Sequence, residues 1–175
     1  MSYLIRKAVQ KDVSQLGKLL DAYVRETYQG AWGGNVELLE RHLIENEVEM
    51  LLAETPRRET VAFIAWTYAY DLHWCMKGGL IIDLYVCPAH RGRGAAVLLA
   101  VSLAEEIQKR GGAFLHGGAV ENAVVRRLYN RVAMVQPNGE CYVSGRAFRH
   151  LANLSGKSAR EIVVNLPEAA WNYEP

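Results

Sequence analysis

Residues 80–112 constrain the fold of this chain more than any other stretch. Leu-Ile-Ile-Asp-Leu-Tyr-Val-Cys, residues 80–87, is an almost wholly apolar run of strand-forming residues, which predicts a strand buried on both faces. Pro88 ends it, because proline cannot donate to a sheet ladder. A loop with Gly92 and Gly94 follows, and residues 94–110 then read as a long helix. Ala96, Leu99, Ala100, Leu103 and Ile107 form one apolar stripe, with Glu105, Glu106, Lys109 and Arg110 near its polar end. Gly111 and Gly112 stop the helix, and residues 113–115 resume as a strand. Strand, helix and strand in this order predict a right-handed parallel crossover.

The flanking elements fit around that unit. Residues 3–8 read as a first strand, and Asp12 as the cap of a helix running to about Thr27. Three glycines break residues 28–34, and Asn35 can cap a second helix carrying Leu38, Leu39, His42 and Leu43. Residues 49–54 and 60–70 read as an antiparallel hairpin around residues 56–59. A helix over 121–132, a turn at Pro137-Asn138-Gly139 and a strand over 140–144 follow. In the tail, Phe148, Leu151 and Leu154 predict a short helix, and 162–166 reads as strand or helix. With no repeats and no linker, 175 residues predict one α+β domain.

Composition narrows the chemistry. Half the residues are apolar and 22% are charged, which excludes wholesale disorder. Lys plus Arg is 20 against 19 Asp plus Glu, so no basic excess points to nucleic acid as a general partner. Three cysteines without a CxxC, and histidines without an HxxxH or HExxH, predict neither a disulfide framework nor a metal site. No apolar stretch approaches the ~18 residues of a membrane span. Residues 1–11 do not read as a signal peptide, so a cytoplasmic setting without a membrane partner is expected.

The loop between Pro88 and the helix can present successive backbone N–H groups to an anion. Glycine admits close approach, and Arg91 and Arg93 add positive charge. A P-loop would need Lys and Ser/Thr after its last glycine, and both are missing. A dinucleotide fingerprint would need a glycine at Val97 and an acid about 20 residues on, and both are missing too.

The segment instead resembles motif A of the GNAT superfamily of acetyl-CoA-dependent N-acetyltransferases. Arg91-x-x-Gly94-x-Ala96 matches its Arg/Gln-x-x-Gly-x-Gly/Ala loop, and Leu84-Tyr85-Val86-Cys87-Pro88 looks like the strand before it. A second family signature is partly present: Asn122 stands at the right distance from Leu128-Tyr129, while Val125 replaces alanine and Ala133-Met134 replaces Gly-Phe. The resemblance implies a central mixed, twisted sheet of about six or seven strands with helices on both faces. It implies acetyl-CoA as acetyl donor, with its pantetheine arm along Leu84, Tyr85 and Val86. The amides of Gly92, Arg93, Gly94, Ala95, Ala96 and Val97 would hold the pyrophosphate, beside Arg91, and Asn122 would contact the cofactor. A backbone N–H near Val86 would polarise the acetyl carbonyl. Tyr129 would give a proton to the leaving thiolate.

The residues leave other assignments open. Nothing supplies a covalent nucleophile, so direct attack by an amine in a ternary complex is the expected reaction. Asp83 is the candidate base, with Glu26 or His116 through water as alternatives. Asn122 also reads as a helix cap, Tyr129 as a core tyrosine, Asp83 as a structural acceptor and Cys87 as a buried hydrophobe. Residues 28–34 would wall the acceptor site. Glu26, Tyr28, Trp32 and Asp71 would favour a cationic small amine or polyamine-like partner, and Trp32, Trp66 and Trp74 would line its pocket or pack in the core. The rival functions are a non-catalytic acyl-CoA-binding sensor or scaffold and a protein or peptide N-terminal acetyltransferase. Assembly is open, with a homodimer among the options.

Overall fold

A computed structural model describes residues 2–118 and 123–174. Seven strands form one sheet in the order β1-β2-β3-β4-β5-β7-β6: β1 (Leu4–Lys7), β2 (Glu49–Glu54), β3 (Thr60–Asp71), β4 (Met76–Val86), β5 (Leu115–Gly118), β6 (Met134–Val135) and β7 (Glu140–Val143). Every neighbour pair is antiparallel except β4 and β5. Those two are joined by α3 (Ala95–Lys109), the parallel crossover that residues 80–115 predict.

The strand buried on both faces is β3 rather than β4. Residues 60–66 are all buried, and the strand alternates between two cores. Ala62, Ile64 and Trp66 face α3, with Leu99, Leu103 and Ile107, and α5 (Gly145–Asn153), with Phe148 and Leu151. Phe63 and Ala65 face α1 (Val13–Tyr28), whose Leu16 and Leu19 complete the second core. β4 is only half-buried and Ile82 is exposed, because β4 outruns its neighbour β5.

β4 also starts earlier than its apolar run. Gly78 and Gly79 belong to it because α3 and Phe114 press on them: a Cβ on Gly78 would stand 2.5 Å from the Phe114 ring. The glycines are strand residues admitting a large neighbour. In the tail, of the residues 162–166 that read as strand or helix, 162–164 end a helix, α6 (Ala159–Val164), which a Ser158–Glu161 capping box opens, and 165–166 lie beyond it. Asn172 clasps the tail: its Nδ2 donates to the Val132 and Ala169 carbonyls, and its Oδ1 accepts from Ser144 N.

Asn35 caps α2 (Val36–Ile44) as its type predicts, accepting from Leu38 N at 2.7 Å. Asp12 precedes α1 but its carboxylate does not cap it. It accepts from Val9 N and pairs bidentately with Arg6, whose guanidinium also holds the buried Glu54. Arg6 holds both carboxyls below their usual range. A depressed acid contributes stability above its unfolded pKa of about 4, and loses it as pH falls through the folded value. Arg6→Met leaves Asp12 without a cation and Glu54 with only the more exposed Arg58, 3.3 Å away, so it should cost about 3 kcal/mol at pH 7, measured by urea unfolding. The cost should shrink toward pH 3, where protonation removes the stranded charges.

Candidate active site

The site is built where β4 and β5 part. They pair only over Gly79–Ile81 against Leu115–Gly117, and β5 ends one residue later, whereas β4 continues to Val86 along β3. Beyond Ile81 the β5 side of β4 carries no strand among the described residues. Cys87 N donates to Val61 O at 2.9 Å, so 61 and 87 form a bonded pair. Antiparallel alternation makes Phe63 and Tyr85 the next such pair. Leu84 and Val86 therefore turn their N–H and C=O groups into the fork. Tyr85 turns its own to Phe63 and packs its buried ring beside Phe63 and Tyr23. A bulge at Ala65/Trp66, with Ile82 left out of register, opens the fork at its apex.

The loop after Pro88 supplies the second part. Gly92 has φ +68° with open space where a Cβ would stand, and Gly94 has φ +93°. Gly94 precedes α3 without a capping side chain, so the first amides of the helix are free of side-chain partners. Ala95 is fully buried, so it can offer only its backbone, while Ala96 and Val97 are half-buried and Arg93 is exposed. Arg91 does not lie over these amides. Its Nε donates to Val86 O at 3.0 Å, its Nη2 pairs with Glu26 Oε1 at 2.6 Å, and its guanidinium sits 5.8 Å from the Tyr85 ring centroid. Arg91 thus ties β4 to α1, and Glu26 is its partner.

Gly94 also has a structural reason to be glycine. A Cβ there would meet Ala159 Cβ of α6 at 2.3 Å. Gly94→Ala should cost about 2 kcal/mol or more in stability, from steric conflict plus the left-handed backbone. Adding Ala159→Gly should recover the steric part and leave about 1 kcal/mol of backbone strain, readable as a partial return of Tm.

Asp83 stands on the opposite sheet face from Leu84, half-buried beside α1. The Tyr23 hydroxyl donates to its Oδ1. Burial raises the Asp83 pKa, although the Tyr23 bond works against the rise. Tyr23 itself is pushed upward, by burial first and by Asp83 second, so it remains a donor. Tyr23 falls at helical spacing with the apolar Leu16, Leu19 and Leu20, which conceals this polar role in the sequence. Tyr129, on α4 (Ala123–Val132), packs half-buried against the α3-side core and has no hydrogen-bond partner for its hydroxyl among the described residues. Burial, then the nearby Cys141, raises its pKa, so the phenol keeps its proton at neutral pH. Asn122 lies outside the described residues.

Other candidates fall away from the fork. Trp66 is wholly in the core with its indole N–H unpartnered among the described residues, and Trp74 is exposed at the β3–β4 turn. Asp71 is engaged in that turn, accepting from the Tyr142 hydroxyl at 2.6 Å and from His73 N. His116 sits three residues before the Asp83 level of the sheet, opposite Leu80, with Nε2 3.6 Å from Glu140 Oε2. Trp32 packs against Gly17 of α1, and its backbone N–H donates to Asp21 Oδ1. Two cavities, of about 410 and 720 Å³, flank the β3–β4 hairpin and touch neither Asp83 nor the glycine loop. No helix among the described residues is long and apolar enough to cross a membrane, and no group of three or more metal-ligating side chains occurs among them.

The profile of the family described as FR47-like protein matches residues 56–143, half of the chain, and contains the hairpin, the fork, the loop and α4. No curated protein matches the sequence. Solved structures do match the fold. A ribosomal-protein-alanine N-acetyltransferase from Brucella melitensis biovar Abortus 2308 is 23% identical with a TM-score of 0.64, covering 78% of this chain and 94% of its own. An aminoglycoside acetyltransferase from an uncultured soil metagenomic sample is 25% identical with a TM-score of 0.62, over 74% and 89%. A "predicted acetyltransferase with acetyl-CoA" from Clostridium acetobutylicum is 20% identical with a TM-score of 0.60, over 73% and 88%. With the sheet order, the fork and the glycine loop in place, the chain belongs to the FR47-like family and is an acetyltransferase of the GNAT superfamily.

Proposed function

We propose that this protein transfers the acetyl group of acetyl-CoA to the primary amine of a small acceptor, by direct attack in a ternary complex. One observation carries the reading: the edge of Leu84 and Val86 that faces the fork leads, through the glycine loop, to a helix start without a side-chain cap, with Asp83 one residue away on the other sheet face. An extended arm can add to that edge as a strand would, while a pyrophosphate takes the free amides from Gly92 to Val97. Gly92, with open space over its α-carbon, admits it.

Acetyl-CoA supplies an activated thioester. The residues of the chain do the rest. Val86 N–H faces the fork, where it can donate to a carbonyl oxygen as charge develops there. Asp83 Oδ2, free of the Tyr23 bond, accepts the proton that an ammonium must lose before its nitrogen can attack. Tyr129 Oη holds a proton for a departing thiolate. The aromatic side chains around Asp83 and Glu26, namely Tyr23, Tyr28 and Tyr85, favour a cationic acceptor. Arg91 neutralises Glu26, which leaves Asp83 as the acidic group for that cation.

Release of free thiol across a panel of small amines, diamines, aminoglycosides and peptides tests the proposal. Turnover should be highest with small amines. Preference for peptide N-termini would point to a protein acetyltransferase, and binding of acetyl-CoA without turnover on any class would point to a sensor or scaffold.

A further inference from the structure

The last 32 residues lie outside the matched family segment, yet they reach the cofactor loop. Ala159, the first residue of α6, packs on Gly94: its Cα would stand 3.7 Å from a Cβ placed there. Adjacent Cα atoms are about 3.8 Å apart, so the Arg160 Cα lies within roughly 8 Å of that point. Arg160 is exposed and has no hydrogen bond or ion pair among the described residues.

The nearby carboxylates Glu161 and Glu105 make their contacts elsewhere and form no ion pair with it. Glu161 receives Ser158 N at 2.9 Å and Ser158 Oγ at 2.6 Å, closing the capping box. Glu105 is taken by Lys109 at 2.7 Å and by Ser155. The Arg160 backbone thus lies within a side chain's reach of a helix start that already favours an anion. The amides of that helix start suffice for a pyrophosphate. A cation displaced to one side of them suits a further phosphate, one sugar away. Guanidinium binds phosphate in bidentate, charge-assisted geometry.

We propose that Arg160 binds the 3′-phosphate of coenzyme A, so that the C-terminal segment sets a preference for the phosphorylated over the dephosphorylated cofactor. The inference rests on the acetyl-CoA reading of the loop.

Calorimetric titration with coenzyme A and with 3′-dephospho-coenzyme A tests it, on the full chain and on Arg160→Gln. The wild type should bind coenzyme A about tenfold more tightly than the dephosphorylated form. Arg160→Gln should weaken coenzyme A by about tenfold and dephospho-coenzyme A by less than twofold, which erases the preference. Arg160 is exposed and unpaired, so Tm without ligand should be unchanged. The inference is overturned if the wild type binds both forms alike, or if the substitution weakens both equally or neither. If the wild type binds neither, the cofactor reading itself fails and the inference with it.

Discussion

Tyr129→Phe should lower turnover ~100- to 10,000-fold with an acceptor that the wild type uses. The phenol is half-buried, its pKa lies above the ordinary value, and its hydroxyl has no partner among the described residues. Removing the hydroxyl therefore strands no donor or acceptor, and the ring keeps its packing against the α3-side core. Stability should change by less than about 1 kcal/mol, the scale of one ordinary hydrogen bond. Calorimetric affinity for acetyl-CoA should stay near the wild-type value. A merely structural tyrosine would give the opposite pattern, a less stable protein with normal turnover. Wild-type turnover in Tyr129→Phe, with chemistry rate-limiting, removes Tyr129 as the acid and points to water.

Asp83→Asn should cost ~100-fold or more in kcat/KM near neutral pH, because the amide keeps the Tyr23 bond but cannot take a proton. The pH profile separates chemistry from packing. In the wild type, activity should rise with pH through a pKa above the ordinary ~3.9 of aspartate, since burial raises that of Asp83. That limb should vanish in the variant, leaving only the limb set by the acceptor amine. The stability effect has the other sign. A folded pKa raised above the unfolded one contributes stability below the unfolded value and loses it as pH rises through the folded value. At pH 7 the buried carboxylate is therefore a cost, and Asp83→Asn should be neutral or slightly stabilising in urea unfolding. A variant that keeps both its turnover and its acid limb would show that the base lies elsewhere.

Tyr23 should behave as a positioning residue in the same measurements. Its hydroxyl holds one Asp83 oxygen, and its ring packs edge-on to Phe63. Tyr23→Phe removes a bond that lowers the Asp83 pKa, so the acid limb should move to higher pH while turnover at its plateau falls little.

Much of this site was legible as local pattern. The apolar run, its proline stop, the two glycines and the amphipathic helix each leave a local signature, and they recur as β4, the loop and α3. Leu84 and Val86 were readable as edge residues only through a resemblance, since nothing in residues 80–87 says where the partner strand ends. Tyr85 shared that reading, yet strand alternation directs its backbone to β3. The burial of residues 80–87 was over-read, because an apolar run marks a strand but not the length of its neighbours. Gly78 and Gly79 fell outside the strand expected over 80–87, since the rings and methyl groups that press on them come from Phe114 and Ile107, far along the chain.

By itself the sequence determined what depends on neighbours along the chain: the helix read over 94–110, the Asn35 cap, the glycine loop before that helix and the order of strand, helix and strand. Backbone sterics and side-chain reach over a few residues decide these, so the order of residues suffices. Only the tertiary structure decided where the fork opens, that Arg91 turns to Glu26 across 65 positions, that Tyr23 holds Asp83 across 60, and that α6 closes on Gly94. Each of these joins groups brought together by burial of the two cores. Hydrophobic burial is nearly blind to direction and identity, so no local pattern records which polar groups it will leave side by side.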